Sequence, residues 1–167
     1  LAGVDAFIAG ADLREGMLDL ARQPDGVPAS RYVLDDGRID RRAVAELYMS
    51  GATIILPQLH ESLYALGEFC RSLEEIFSAH VQTNIYLTPS GHQGFPIHYD
   101  NHDVFVLQVS GAKAWRLYGT PVETPYRGER FELGRFEAGP VTREFTLSVR
   151  SRRCTSPSAS SPRPGPT

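Results

Sequence analysis

Gly94-Phe95-Pro96-Ile97-His98-Tyr99-Asp100 is the stretch on which the reading of this chain turns, because it places an imidazole and a carboxylate two residues apart in a segment that reads as β-strand. Side chains at i and i+2 of a strand leave the same face, so His98 and Asp100 project together. That is two-thirds of a metal site. A facial triad of two histidines and one carboxylate leaves positions open on Fe(II) for a cosubstrate and O2. No histidine follows His102, so the distal part of the chain holds no imidazole to complete the set.

Working outward from this stretch, the apolar period is two. Val81 to Leu87, Ile97 to Asp100, Asp103 to Val109, Lys113 to Tyr118 and Thr142 to Leu147 read as strands, punctuated by Pro89-Ser90-Gly91, Ser110-Gly111 and Gly119-Thr120-Pro121. Val104-Phe105-Val106-Leu107 is apolar on both faces, which needs a second covering layer. Upstream the period changes. From Gln58 to His80, Leu59, Leu63, Leu66, Phe69, Cys70, Leu73, Ile76 and Phe77 recur at steps of three and four and predict one long helix. Thr53 to Leu56 predicts a short strand stopped by Pro57, and Asp40 predicts the N-cap of a helix through Met49 closed by Gly51. The first forty residues read as irregular, with one short helix near Leu13 to Ala21.

The 167 residues give room for one domain with a real core, and 41% hydrophobic residues with a net charge of -3 describe an ordinary globular chain. Nothing here carries the basic footprint of a nucleic-acid binder. No apolar run reaches the roughly 18 to 20 residues that span a bilayer, and no signal pattern opens the chain, so the expectation is a soluble, cytoplasmic protein with no membrane partner. Cys70 and Cys154 have neither CxxC nor secreted-scaffold spacing and read as free thiols.

The combination of Asn84-Ile85-Tyr86-Leu87-Thr88-Pro89, the His98/Asp100 stretch, Asp103-Val104-Phe105-Val106-Leu107-Gln108 and Gly111-Ala112-Lys113-Ala114-Trp115-Arg116-Leu117-Tyr118 resembles the JmjC-type cupin oxygenases of the ribosomal oxygenase family. The resemblance runs roughly from Gly51 to Leu147. It implies a mainly β chain with flanking helices (α+β), built as a double-stranded β-helix, or jelly roll. It also implies Fe(II)- and 2-oxoglutarate-dependent hydroxylation of a protein side chain, with a ribosomal protein as one such substrate. By the same resemblance His98 and Asp100 are iron ligands, Lys113 binds the distal carboxylate of 2-oxoglutarate, and Asn84 and Tyr86 line the cosubstrate pocket. Physical chemistry supports Lys113 separately: a dianion in a lined cavity needs a cation at the end away from the metal, and Lys113 follows a hairpin turn.

The chain departs from the family after Leu147. There the family continues through a Pro-Gly-Asp turn and a Pro-Arg-Gly segment to its second iron histidine. Here Ser148-Val149-Arg150-Ser151-Arg152-Arg153-Cys154 leads into a segment with six Ser, four Pro and four Arg in residues 148–167. Such a composition predicts disorder, and the abrupt change reads as a frame change or truncation that removes the C-terminal part of the barrel; a genuine disordered tail is the competing account. The start at Leu1 rather than Met reads as a missing N-terminal portion. The expected organisation is an N-terminal segment over 1–50, a partial JmjC/cupin domain over 51–147 and a disordered tail over 148–167. A homodimer belongs to the intact family member and is not supported by this chain.

Each assignment has a plainer competitor. His98 and Asp100 could be an exposed polar pair on a strand, Lys113 a solvent-facing lysine, and Trp115 is read as core. His102 has the right parity from Asp100 but lies where the chain turns, so it is not read as a ligand. His60 is read as a surface or packing histidine, His80 as a helix-ending imidazole favoured by the dipole, and His92 as a residue of the loop before the motif that could line the pocket mouth. Two function classes remain: an Fe(II)/2-oxoglutarate oxygenase impaired by its incomplete ligand set, or a non-catalytic cupin-like remnant acting as a binding module.

Overall fold

The computed structural model describes residues 2–119 and 137–149, which fall in two compact units, Ala2–Pro96 and the residues from Ile97 onward. In chain order the first unit contains α1 (Ala2–Gly10), β1 (Asp19–Ala21), α2 (Arg41–Met49), β2 (Thr53–Leu56), α3 (Tyr64–Phe77) and β3 (Ile85–Leu87). The second contains β4 (Ala112–Tyr118) and β5 (Val141–Ser148). Helices and antiparallel strands are both present, as an α+β chain requires.

In the first unit β2 is the centre of a three-stranded antiparallel sheet in the order β1-β2-β3. Leu20 pairs with Ile54, and Ile54 in turn with Leu87. The core beneath this sheet collects Leu13, Leu18, Leu20, Ile39, Val44, Leu47, Ile54, Leu56 and Leu59, so residues on both sides of position 50 share one interior. Asp40 caps α2 as its sequence predicts, its carboxylate accepting the N–H groups of Arg42 at 2.9 Å and Ala43 at 3.2 Å. Gly51 follows the helix at φ +104°, a conformation open to glycine.

Two expectations for the helices are corrected. Leu13 to Ala21 is not a helix: Gly16 sits at φ +86°, and the alternation of buried Leu18 and Leu20 belongs to the approach to β1. The first helix is α1, whose small residues bury only Val4 fully and so carry a weak periodic signal. The long helix predicted from Gln58 to His80 is broken. A 3-10 turn covers Leu59–Glu61, preceded by Gln58 in the left-handed region at φ 49°, and α3 begins only at Tyr64. Apolar steps of three and four run across that break, so periodicity could not expose it.

The strand expected from Val81 shortens to β3 because its first half bonds elsewhere. The Val81 N–H donates to the Glu74 carboxylate at 3.0 Å, the Thr83 N–H to His60 Nδ1 at 3.2 Å, and the Thr83 carbonyl accepts the Leu59 N–H at 2.9 Å. These groups are satisfied without a ladder.

In the second unit β4 and β5 pair antiparallel, Lys113 opposite Leu147 and Trp115 opposite Phe145, with an irregularity at Leu117/Tyr118. The strands predicted at Ile97 to Asp100 and Asp103 to Val109 have no ladder among the described residues. Their alternation survives nonetheless. Val104, Val106 and Gln108 are half-buried while Phe105, Leu107 and Val109 are exposed. A closed jelly roll therefore does not appear among the described residues. The tail from residue 150, with Cys154, lies outside the described residues, whereas Cys70 is a buried free thiol whose Sγ lies 3.0 Å from Thr83 Oγ1.

Candidate functional site

His98 and Asp100 lie just inside the second unit, both exposed, with half-buried Tyr99 between them. The two share an exposure class, in a stretch that forms no strand ladder among the described residues. Among the described residues no group of three His, Cys, Asp or Glu side chains is close enough to hold a metal ion. His102 is exposed.

Lys113 stands on the face of β4 that also carries Trp115 and Leu117, all three half-buried, while Ala112, Ala114 and Arg116 are exposed on the other side. Its ammonium lies over the indole of Trp115, 5.2 Å from the ring centroid, within the range of a cation–π contact. Burial pushes the Lys113 ammonium below the usual lysine range. No carboxylate pairs with it among the described residues. Arg116, on the opposite face, is matched by Glu144 at 2.9 Å. Thus the one acidic side chain within β5 is spent on the outer face.

Asn84 and Tyr86 belong to the first unit. The Asn84 side-chain carbonyl accepts the Gln58 N–H at 3.0 Å, so that atom is committed to holding the chain. Tyr86 is exposed on the side of β3 away from the core and stacks edge to face on Phe95, ring centroids 5.4 Å apart. Beside it, Thr53 Oγ1 and Thr88 Oγ1 share a hydrogen bond of 3.0 Å, and Gly94 passes so close that an added Cβ would lie 2.7 Å from Thr53 Oγ1. The glycine that opens the His98/Asp100 stretch is therefore required by packing.

The other histidines have structural employment. His60, read as a surface or packing histidine, is half-buried and accepts the Thr83 N–H at 3.2 Å. His80 lies beyond the end of α3 at Phe77, and its Nδ1 is 3.0 Å from the Glu74 carboxylate. His92 packs on Gly51, where a Cβ would fall 2.5 Å from its Nδ1. A pocket in the first unit, lined by Phe7, Met17, Asp19, Gln58, Glu61 and Ser62 among others, contains none of the five expected site residues.

Sequence reading missed the donor on Trp115. Its indole N–H is buried and has no hydrogen-bond partner among the described residues. Its face of the strand was legible from the alternation, but Trp115 is half-buried rather than core, and the unmet donor was not legible.

A family model described as the JmjC domain matches residues 58–149, more than half of the chain. The chain is also similar to proteins named bifunctional lysine-specific demethylase and histidyl-hydroxylase NO66. That of Drosophila persimilis is 35% identical over 130 residues, covering 78% of this chain and 18% of the relative. That of Drosophila sechellia is 40% identical over 111 residues, covering 65% and 16%. That of Drosophila erecta is 42% identical over 88 residues, covering 52% and 13%. The chain spans less than a fifth of the length of these relatives.

Proposed function

The chain belongs to the JmjC-domain family, and from that premise we propose that it carries the cosubstrate end and two metal ligands of an Fe(II)- and 2-oxoglutarate-dependent oxygenase that hydroxylates a protein side chain. One observation carries this reading: Lys113 is a half-buried cation with no carboxylate partner among the described residues. Desolvating an ammonium without a counter-charge is unfavourable unless an anion arrives. A dicarboxylate meets that need.

The fit to the two groups differs. For 2-oxoglutarate, Lys113 offers a charge-assisted contact to the distal carboxylate, and the apolar neighbours Trp115, Phe145 and Leu147 keep the local dielectric low, which strengthens it. For Asn84 and Tyr86, which belong to the first unit, a cosubstrate role rests on the family resemblance alone. For Fe(II), His98 and Asp100 are the proposed donors, and the described residues do not complete a set of three. Two protein donors hold such an ion weakly, so turnover by this chain is expected to be low. The proposed substrate is a protein, a ribosomal protein being the nearest class given the ribosomal-oxygenase resemblance, and the proposed compartment is the cytoplasm.

The other reading, a non-catalytic cupin-like binding module, is favoured by that incomplete set. Succinate formation from 2-oxoglutarate, with and without added Fe(II), separates the two. Slow, iron-dependent succinate production that disappears in His98→Ala and Asp100→Ala supports the oxygenase. Production that both variants leave unchanged removes His98 and Asp100 from the site, and none at all favours the binding module.

A further inference from the structure

The inner face of the β4–β5 pair is built from Lys113, Trp115 and Leu117 facing Leu147, Phe145 and Arg143. It carries two cations and no acid. The Arg143 guanidinium lies 5.2 Å from the centroid of the Phe145 ring, as the Lys113 ammonium lies over Trp115, so both charges are held against aromatic faces rather than by carboxylates. Glu144 points to the outer face and is matched there by Arg116. On this face, then, positive charge and hydrogen-bond donors are in excess.

We infer that the indole Nε1–H of Trp115 is the second donor to the anion that Lys113 binds, making Trp115 a positioning and specificity residue for a dicarboxylate rather than a core filler. This rests on the reading of Lys113 as the cosubstrate cation. The observation behind it is independent: Trp115 Nε1 is buried and has no hydrogen-bond partner among the described residues. A buried donor left unmet is unfavourable, so such a group marks a place for an acceptor. The acceptor must come to the neighbouring position on the same face of β4, two residues along from Lys113. Because the ammonium already lies over the ring of the same indole, one carboxylate group can take an ammonium hydrogen on one oxygen and the indole hydrogen on the other. Indole is a donor only, and a paired ammonium and indole N–H therefore select an anionic acceptor over a neutral one. Phenylalanine keeps the ring under Lys113 and lacks only the N–H.

Trp115 is the only tryptophan in the chain, so its indole N–H gives a single resonance in a 15N-correlated NMR spectrum. The experiment titrates the full chain with 2-oxoglutarate in the presence of diamagnetic Zn(II), following that resonance, and measures affinity by calorimetry for the wild type, Trp115→Phe and Lys113→Ala. The expected result is a downfield shift of the indole proton that saturates with binding, and an affinity about tenfold weaker in Trp115→Phe, the loss of one hydrogen bond to a charged group. Binding that leaves the indole resonance in place, or that is equally tight in Trp115→Phe, overturns the role of Trp115 while the Lys113 reading stands. Absence of binding in the wild type, or binding unchanged in Lys113→Ala, overturns both. Should Trp115→Phe fail to fold, the wild-type resonance decides alone.

Discussion

Asn84 fixes Gln58: its side-chain carbonyl accepts the Gln58 N–H at 3.0 Å while Gln58 holds φ 49°, a left-handed backbone that a non-glycine residue adopts at a cost. The bond ties the start of β3 to the turn where the expected long helix is interrupted. Asn84→Ala is therefore expected to lower stability by about 1 to 2 kcal/mol, measured by urea unfolding. Gln58→Gly in that background should return roughly 1 kcal/mol, since glycine adopts the left-handed conformation freely. Stability unchanged in Asn84→Ala, with 2-oxoglutarate binding reduced, would assign the residue to the pocket alone.

Gly94→Ala tests the contact that brings the chain to the His98/Asp100 stretch. The new methyl would meet Thr53 Oγ1 at 2.7 Å, and Thr53 cannot yield because it is fully buried and bonded to Thr88. Overpacking of this kind costs about 1 to 3 kcal/mol. Thermal unfolding of the variant should show the loss, and Thr53→Ser, which keeps the hydroxyl, should not relieve it.

How much of this was legible in the sequence depends on which force set each element. Asp40 and Gly51 announced α2 because capping is local chemistry, and the Lys113 to Tyr118 strand announced itself by alternation. The break at Gln58 did not, because it is set by Asn84, 26 positions away. The Val81 half of its predicted strand failed for the same reason: side chains of His60 and Glu74 take its N–H groups. In the second unit the face of β4 that carries Lys113 could be read from parity. The absence, among the described residues, of a counter-charge at Lys113 and of an acceptor at Trp115 could not be read, since neither follows from the pattern of the strand itself.

Acid stability should depend on Glu74. The Val81 N–H, and after it His80, hold this carboxyl below its ordinary value of 4.5. A carboxylate whose folded value is depressed contributes stability that is full above the unfolded value and lost as pH falls through the folded one. Melting temperatures measured from pH 6 down to pH 3 should therefore fall more steeply for the wild type than for Glu74→Gln. Parallel curves would mean that the bond to Val81 carries no charge-dependent stability.

Lys113→Met should stabilise the free protein while removing its affinity for dicarboxylates. Burial lowers the Lys113 pKa from its ordinary 10.5, so the folded chain holds this proton less tightly than the unfolded chain. The charge therefore costs stability at neutral pH, and the cost fades as pH rises towards 10.5. Because the group is partly exposed and screened, the gain is up to about 1 kcal/mol. Urea unfolding at pH 7 and pH 10 checks it, with the difference between the two proteins narrowing at the higher pH. A variant less stable than the wild type at pH 7 would show that the ammonium already has its counter-charge.

The central claim, that His98 and Asp100 are metal donors working beside a dicarboxylate held by Lys113, is met most directly by Mn(II) binding followed by electron paramagnetic resonance, with and without 2-oxoglutarate. Weak Mn(II) binding that 2-oxoglutarate tightens is the expected result. His98→Ala and Asp100→Ala should each abolish that binding, and Lys113→Ala should keep the weak binding and lose the tightening. Mn(II) binding that is indifferent to both His98→Ala and Asp100→Ala would contradict it.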